Sequence, residues 1–207
     1  MSFIVGVCGG SGSGKTTLAK QLLERLPQQG ASVSLISFDD YYKHTPGMTP
    51  EQRAAYNFDE PAALDGDLLA RDLRLLKEGR PAFIPQYDFT TQSRLPEPLM
   101  VDPADVILVE GILIYAVSEV RESLDLSLYV DAPADVRLLR RFVRDIEERG
   151  HSPRSAAALY LNTARDAHQR YVEPHKSISD LIVTNVFDEA MLEVLVAGIA
   201  ARARVRA

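Results

Sequence analysis

An α/β fold with a mostly parallel central sheet flanked by helices is what the 207-residue sequence predicts, and three observations carry it. The chain opens on a short apolar run, Phe3–Cys8 (FIVGVC), followed at once by glycine-rich GGSGSGKT and then by TLAKQLLER. A second β-prone run, Ser32–Ser37 (SVSLIS), comes within about 35 residues, so strand, helix and strand form a βαβ-type unit. Two further apolar runs, Asp105–Gly111 and Leu124–Asp131, read as buried strands of the same sheet.

Residues Gly9, Gly10, Ser11, Gly12, Ser13, Gly14, Lys15 and Thr16 fit G-x-x-x-x-G-K-[ST] in its required context, between a strand and a helix start. The glycines let the backbone turn sharply and bring its N–H groups against phosphate oxygens. The helix N-terminus adds partial positive charge there. Lys15 is expected to be exposed to the β- and γ-phosphates, and the Thr16 hydroxyl to ligate Mg²⁺. Thr17 completes the candidate nucleotide-binding stretch. A chance glycine-rich turn would need neither the strand before it nor the helix after it.

Composition sets the outer bounds. One domain over residues 1–207 is expected, large enough to bury a full core without staples. Hydrophobic residues make up 46% and charged residues 25%, ordinary for a globular protein, and the net charge of −6 argues against nucleic acid as a partner. Cys8 is the single cysteine, so no internal disulfide is expected, and its apolar strand makes it a core residue rather than a nucleophile. The N-terminus lacks the pattern of a signal peptide and no stretch nears the ~20 apolar residues of a membrane span, which reads as cytoplasmic with no membrane association.

In chain order, Thr16–Pro27 is expected to be an amphipathic helix with Leu18, Leu22, Leu23 and Leu26 inward, closed by Gly30. After the second strand comes FDDYYK, and Asp39 falls at the carboxyl end of a strand, where ligands sit in open α/β sheets. A carboxylate there can take a proton from an attacking hydroxyl or hold Mg²⁺, or Asp39 or Asp40 can simply cap the next turn. A short helix is expected over Thr49–Tyr56, with Thr49 as cap. Asp65–Glu78 reads as a helix with Leu68, Leu69, Leu73 and Leu76 inward. The five prolines of Pro81–Pro103 forbid a long helix or a central strand, and its aromatic segment FIPQYDFT reads as a β-hairpin standing off the main sheet. Its aromatics line a ligand pocket or form a small satellite core.

Four aliphatic residues ending in Glu110 place a carboxylate where phosphate-loop proteins keep a Mg²⁺-associated acid. Pro133–Gly150 is expected to be a long helix with Val136, Leu139, Val143 and Ile146 facing the core and Arg137, Arg140, Arg141 and Arg144 on its other faces. Such a basic stripe is a solvated face or, beside a phosphate, the charge that stabilises a transition state. Ser152-Pro153 starts a further helix to about Tyr171, Asp180–Thr184 is the last strand and Glu189–Arg204 a closing helix.

The ordered set GGSGSGKTT, SFDDYYK, YNFDEPAALD, PQYDFTTQSR, ILVEGIL, LYVDAPADVRLLRRFVRDIEERG and YVEPHKSISDLIV resembles the uridine kinase (uridine–cytidine kinase) family from about Ile4 to Val183. The resemblance implies a P-loop kinase fold with a β-hairpin substrate lid at 81–103, a donor-side lid at about 140–155, ATP or GTP as phosphate donor, Mg²⁺, and a nucleoside acceptor. By the same resemblance Asp39 is the carboxylate that receives the 5′-hydroxyl proton. Tyr42, Phe58, Asp59, Tyr87, Phe89 and Arg141 belong to the nucleoside pocket, with Asp59 and Arg141 on the ribose. Arg144 and Arg149 are lid arginines on the donor phosphates, and Glu110 lies near the metal with Thr16. Family members are often tetramers, which makes a homo-oligomer an expectation by analogy.

Three positions depart from the family pattern, all on the base side. Gln92 stands where His is common, with Arg94 kept; His151 stands where Arg is common; and Leu159-Tyr160 replaces a Gln-Tyr pair. Gln92 still offers a donor and an acceptor, whereas Leu159 has no side-chain hydrogen bond to give. These departures leave open a related kinase for another hydroxylated metabolite, such as a sugar phosphate or a pantothenate-like compound. A regulatory nucleotide binder has no need of Asp39, and no N-K-x-D guanine-reading stretch is present for a GTPase.

Overall fold

The first apolar run becomes the middle strand of the sheet. In the computed structural model, which describes residues 1–44, 47–49, 52, 56–89 and 91–206, β1 (Phe3–Cys8) is buried along its whole length. It pairs in parallel with β7 (Val106–Glu110) on one side and β8 (Leu126–Asp131) on the other. β2 (Val33–Ser37) lies beyond β7 and β9 (Leu181–Thr184) beyond β8, so the order is β2-β7-β1-β8-β9, parallel throughout. Buried residues at every position of β1 and β7, nearly all of them apolar, suit strands covered on both faces.

One face packs on α1 (Lys15–Arg25) and α7 (Glu189–Arg206): Val5, Val7 and Leu108 meet Leu18, Leu22, Leu192, Val196 and Ile199. The other packs on α2 (Gly66–Lys77), where Ile4, Ile107 and Val109 meet Leu69, Leu73 and Leu76. Leu23 and Leu68, also expected inward, are only partly buried at the margins of these cores. Cys8 is a core residue as expected; its thiol donates to Ile112 O and burial pushes its pKa up to about 12.

The hairpin stands off the main sheet and is built in two pieces. β3 (Ala82–Ile84) pairs with β6 (Leu99–Val101), and β4 (Tyr87–Asp88) with β5 (Ser93–Arg94). Pro85 and Pro96 fall between the pieces, where they interrupt no ladder bond. The helix expected over 49–56 falls mainly on 50–51 and 53–55, outside the described residues; at its start Thr49 and Gln52 exchange reciprocal capping bonds.

Two expectations fail in the C-terminal half. Helix α4 (Ala134–Glu147) does not turn its apolar stripe to the core: Leu139 is 66% and Val143 50% exposed, and Val136 and Ile146 are only partly buried. Its inward face is polar, because Asp145, 2% exposed, gathers Arg141, Arg144 and Arg149 about itself over the site. The helix expected from Ser152 to Tyr171 is divided into α5 (Pro153–Leu159) and α6 (Arg165–Tyr171) by a wide π-type turn, Tyr160–Ala164. Ser152 does cap α5, its hydroxyl accepting from Ser155 N–H at 3.2 Å. A short helix, α3 (Ser118–Ser123), had no sequence signal. Among the described residues no helix is long and apolar enough to cross a membrane.

A buried carboxylate fixes the turn after β2. Asp72 on α2 is fully buried; it accepts from Tyr41 Oη at 3.1 Å and from Arg71 Nε at 3.0 Å. Tyr41 belongs to the 3₁₀ turn Phe38–Tyr41, which carries Asp39. Tyr41→Phe strips one partner from a buried acceptor and is expected to lower stability by about 1–3 kcal/mol. The measurement is the urea midpoint, which falls with the slope unchanged.

Candidate active site

The carboxyl ends of β1, β2 and β7 converge on one point, because the register sets Glu110 beside Val7 on one side and Ser37 on the other. The chain after β1 must turn within a few residues into α1, and glycine allows it. Gly12 (φ 79) and Gly14 (φ 98) lie in the left-handed region, and a Cβ on Gly12 would strike the Arg137 carbonyl oxygen. Gly14 directly precedes the first turn of α1, so the helix N-terminus opens onto the loop.

Lys15 is buried, contrary to the exposed position expected. Its ammonium lies 3.3 Å from Glu110 Oε2 and 3.4 Å from Thr16 Oγ1. Burial works against its charge, but Glu110 and Asp39 outweigh that and hold its pKa above the ordinary value. Thr16 Oγ1 donates to Glu110 Oε1 at 3.2 Å. Three buried polar atoms in and around this loop make no hydrogen bond among the described residues: Ser13 Oγ, Glu110 Oε2 and Arg144 Nε. Arg144 Nη2 donates to Ser11 Oγ at 2.9 Å, so a helix distant in sequence closes over the loop.

Asp39 and Asp40 differ in their surroundings. Asp40 Oδ1 accepts from Tyr87 N–H at 3.4 Å and so ties the turn to the hairpin. Asp39 faces the charged cluster: loss of water around it raises its pKa, Lys15 opposes this, and Glu110 adds to it.

Four of the expected pocket residues form an aromatic cluster. Tyr42 has ring centroids 5.8 Å from Phe58, 5.2 Å from Tyr87 and 6.2 Å from Phe89, and its hydroxyl donates to Phe58 O at 3.0 Å. Arg94 holds the turn from below through Tyr42 O at 2.7 Å and Tyr41 O at 3.0 Å. Next to Phe58, Asp59 takes Arg141 across both carboxylate oxygens, at 3.2 and 3.4 Å. Asp59, Arg141 and Ser11 line one cavity of about 200 Å³, together with Arg137 and Tyr160.

Two expected residues sit apart from the roles the resemblance gave them. The Arg149 guanidinium lies 5.4 Å from the centre of the Phe89 ring and bonds Asp145 at 3.3 Å, joining the helix end to the hairpin rather than to the phosphate loop. His151 gives its backbone N–H to Asp145 O, and no hydrogen bond or ring contact joins its side chain to the aromatic cluster among the described residues. Gln92 closes the β4–β5 loop in the left-handed region, φ 51, uncommon for a residue with a side chain. Residues that sequence reading passed over are Asp145 and Thr163; nothing in a lone Asp among arginines marks it as the hub of an inward face.

A five-stranded parallel sheet of this order, with a glycine-rich loop and buried lysine after its first strand, defines a P-loop kinase fold. The protein belongs to the phosphoribulokinase / uridine kinase family, whose model matches residues 4–191. A protein of Brevibacillus brevis named uridine kinase is 47% identical over 180 residues, 87% of this chain and 83% of that one. One of Staphylococcus epidermidis with the same name is 42% identical over 87% of this chain and 86% of its own. Among solved structures, phosphoribulokinase from Rhodobacter spheroides superposes with a TM-score of 0.66 at 16% identity, covering 88% of this chain and 70% of that one, a likeness of fold.

Proposed function

We propose that the protein transfers the γ-phosphate of ATP or GTP to the 5′-hydroxyl of uridine or cytidine, giving the nucleoside monophosphate and the nucleoside diphosphate of the donor. The observation that carries this reading is the Asp59–Arg141 pair. It shares one cavity with Ser11 of the phosphate loop and borders the Tyr42–Phe58–Tyr87–Phe89 cluster. A carboxylate fixed by an arginine suits paired sugar hydroxyls, and a cluster of edge-to-face and tilted aromatic rings suits a base.

In this reading the loop amides and Lys15 hold the donor phosphates, and Arg144 stabilises charge that develops on the transferred group. Asp39 takes the proton as the 5′-oxygen bonds to the γ-phosphorus and the bond from that phosphorus to the β-phosphate oxygen breaks. Thr16 Oγ1 and Glu110, whose Oε2 is paired with the Lys15 ammonium at 3.3 Å, suit a Mg²⁺ whose other ligands are phosphate and water. Among the described residues no group of three or more His, Cys, Asp or Glu could hold a metal. Bound at Thr16 and Glu110, the ion would neutralise charge on the β- and γ-phosphates. Arg149, close to Phe89, belongs at the seam between the hairpin and the donor-side lid, over 140–155 of a single domain.

Kinases for a sugar phosphate or a pantothenate-like compound are not favoured, because the relatives matched over most of the chain are named uridine kinase. Base selectivity is expected to be loose. Leu159 supplies no side-chain hydrogen bond, and one such bond is worth about 0.5–1.5 kcal/mol, so uridine and cytidine should differ by roughly tenfold or less at that position. Release of ADP from ATP with each nucleoside in turn tests the reading: turnover with one or both is expected, and inertness of both would overturn it.

A further inference from the structure

The wide turn Tyr160–Ala164 interrupts what would otherwise be one helix. Arg165 N–H reaches back five residues to Tyr160 O, and the extra residue rotates α6 by about 100° relative to an unbroken helix. Turns of this kind are rare and recur at functional sites. Here the turn carries Thr163, whose hydroxyl lies 2.8 Å from Leu159 O and 3.2 Å from Asp59 Oδ2. A threonine hydroxyl has a single proton, so it serves one of these acceptors at a time.

Asp59 is also held from other directions. Arg141 spans both oxygens, and Asn57 Oδ1 accepts the Asp59 backbone N–H at 3.1 Å. Thr163 meets Oδ2, the oxygen at the longer of the two arginine contacts. We infer that Thr163 is a positioning residue that fixes the carboxylate plane of Asp59 and thereby sets the enzyme's selectivity for a substrate with vicinal sugar hydroxyls. The inference rests on the reading of Asp59 as the ribose-binding carboxylate. Arg141 alone anchors Asp59 along one edge and leaves rotation about that edge; a contact from a second element removes it. A carboxylate oxygen offers more than one lone pair, so Oδ2 can accept from a substrate hydroxyl while Thr163 keeps its contact.

The test compares Thr163→Val, which removes the hydroxyl at nearly constant shape, with Thr163→Ser, which keeps it, and with Asp59→Asn. Kinetics are measured with uridine, cytidine and their 2′-deoxy forms at saturating Mg·ATP. Thr163→Val is expected to raise KM for the ribonucleosides by roughly 3–10-fold with kcat and KM for ATP unchanged, and to narrow the ribo-over-deoxy preference by a similar factor. Thr163→Ser should restore both. If Thr163→Val does not fold, Thr163→Ala carries the same comparison. Ribonucleoside KM within twofold of wild type in the valine variant, while Asp59→Asn raises it, would overturn the inference alone. So would equal losses for nucleoside and ATP, or failure of serine to rescue. An unchanged KM in Asp59→Asn would overturn the inference and the ribose-side reading together.

Discussion

Lys15→Ala is expected to reduce kcat/KM for phosphoryl transfer by about 10²-fold or more, the scale for losing one preorganised charge at a developing oxyanion. The structure adds a second consequence. Lys15 is 7% exposed and faces Glu110 at 3.3 Å, so its loss leaves a buried carboxylate without its counter-charge. Breaking such a pair from one side destabilises by about 3–5 kcal/mol, and the melting temperature should fall with the activity. The stability effect is isolated in Lys15→Ala/Glu110→Gln, where the uncompensated charge is gone and the melting temperature should recover. Near wild-type turnover in a folded Lys15→Ala variant would remove the phosphate loop from the chemistry.

Asp39→Asn is expected to lower kcat by roughly 10²–10⁴-fold, the range for losing a positioned general base. Asp40→Asn should change kcat little. Asp40 is tied to Tyr87 N–H, and an amide oxygen can still accept that bond. The pH profile gives an independent reading. A base works only when deprotonated, and Asp39 has its pKa raised by loss of water, with Glu110 adding to the shift. Turnover should therefore fall as pH drops through a value above the ordinary carboxylate range, and the residual rate of Asp39→Asn should lack that limb. A larger loss in Asp40→Asn than in Asp39→Asn would exchange their roles.

The parts of the site that rest on local chain chemistry were legible in the sequence. A strand, a glycine turn and a helix start need only neighbouring residues; the five prolines of 81–103 exclude a long helix and a central strand, and its β-prone aromatic segment points to a hairpin off the sheet. Helix α4 was misread because periodicity ranks faces by apolar content. Leu139 and Val143 form the more hydrophobic face, yet the helix packs on a polar site, where Asp145, Asp59 and Ser11 reward its arginines. The burial of Lys15 was hidden for a related reason: its partner, Glu110, is far away in the chain, at the end of a neighbouring strand. The wide turn at 160–164 has no proline or glycine to announce it, since tertiary contacts rather than local propensity hold it.

The most direct measurement of the central claim is kcat/KM at saturating Mg·ATP for uridine, cytidine, their 2′-deoxy forms and a set of non-nucleoside alcohols. Turnover of the ribonucleosides is expected, with uridine and cytidine within about tenfold of each other. The deoxy forms should be poor substrates, because a site built for a hydroxyl strongly rejects the analogue that lacks it. Turnover of a non-nucleoside alcohol with both ribonucleosides inert would contradict the account, and Gln92, His151 and Leu159 would then mark a pocket shaped for another acceptor.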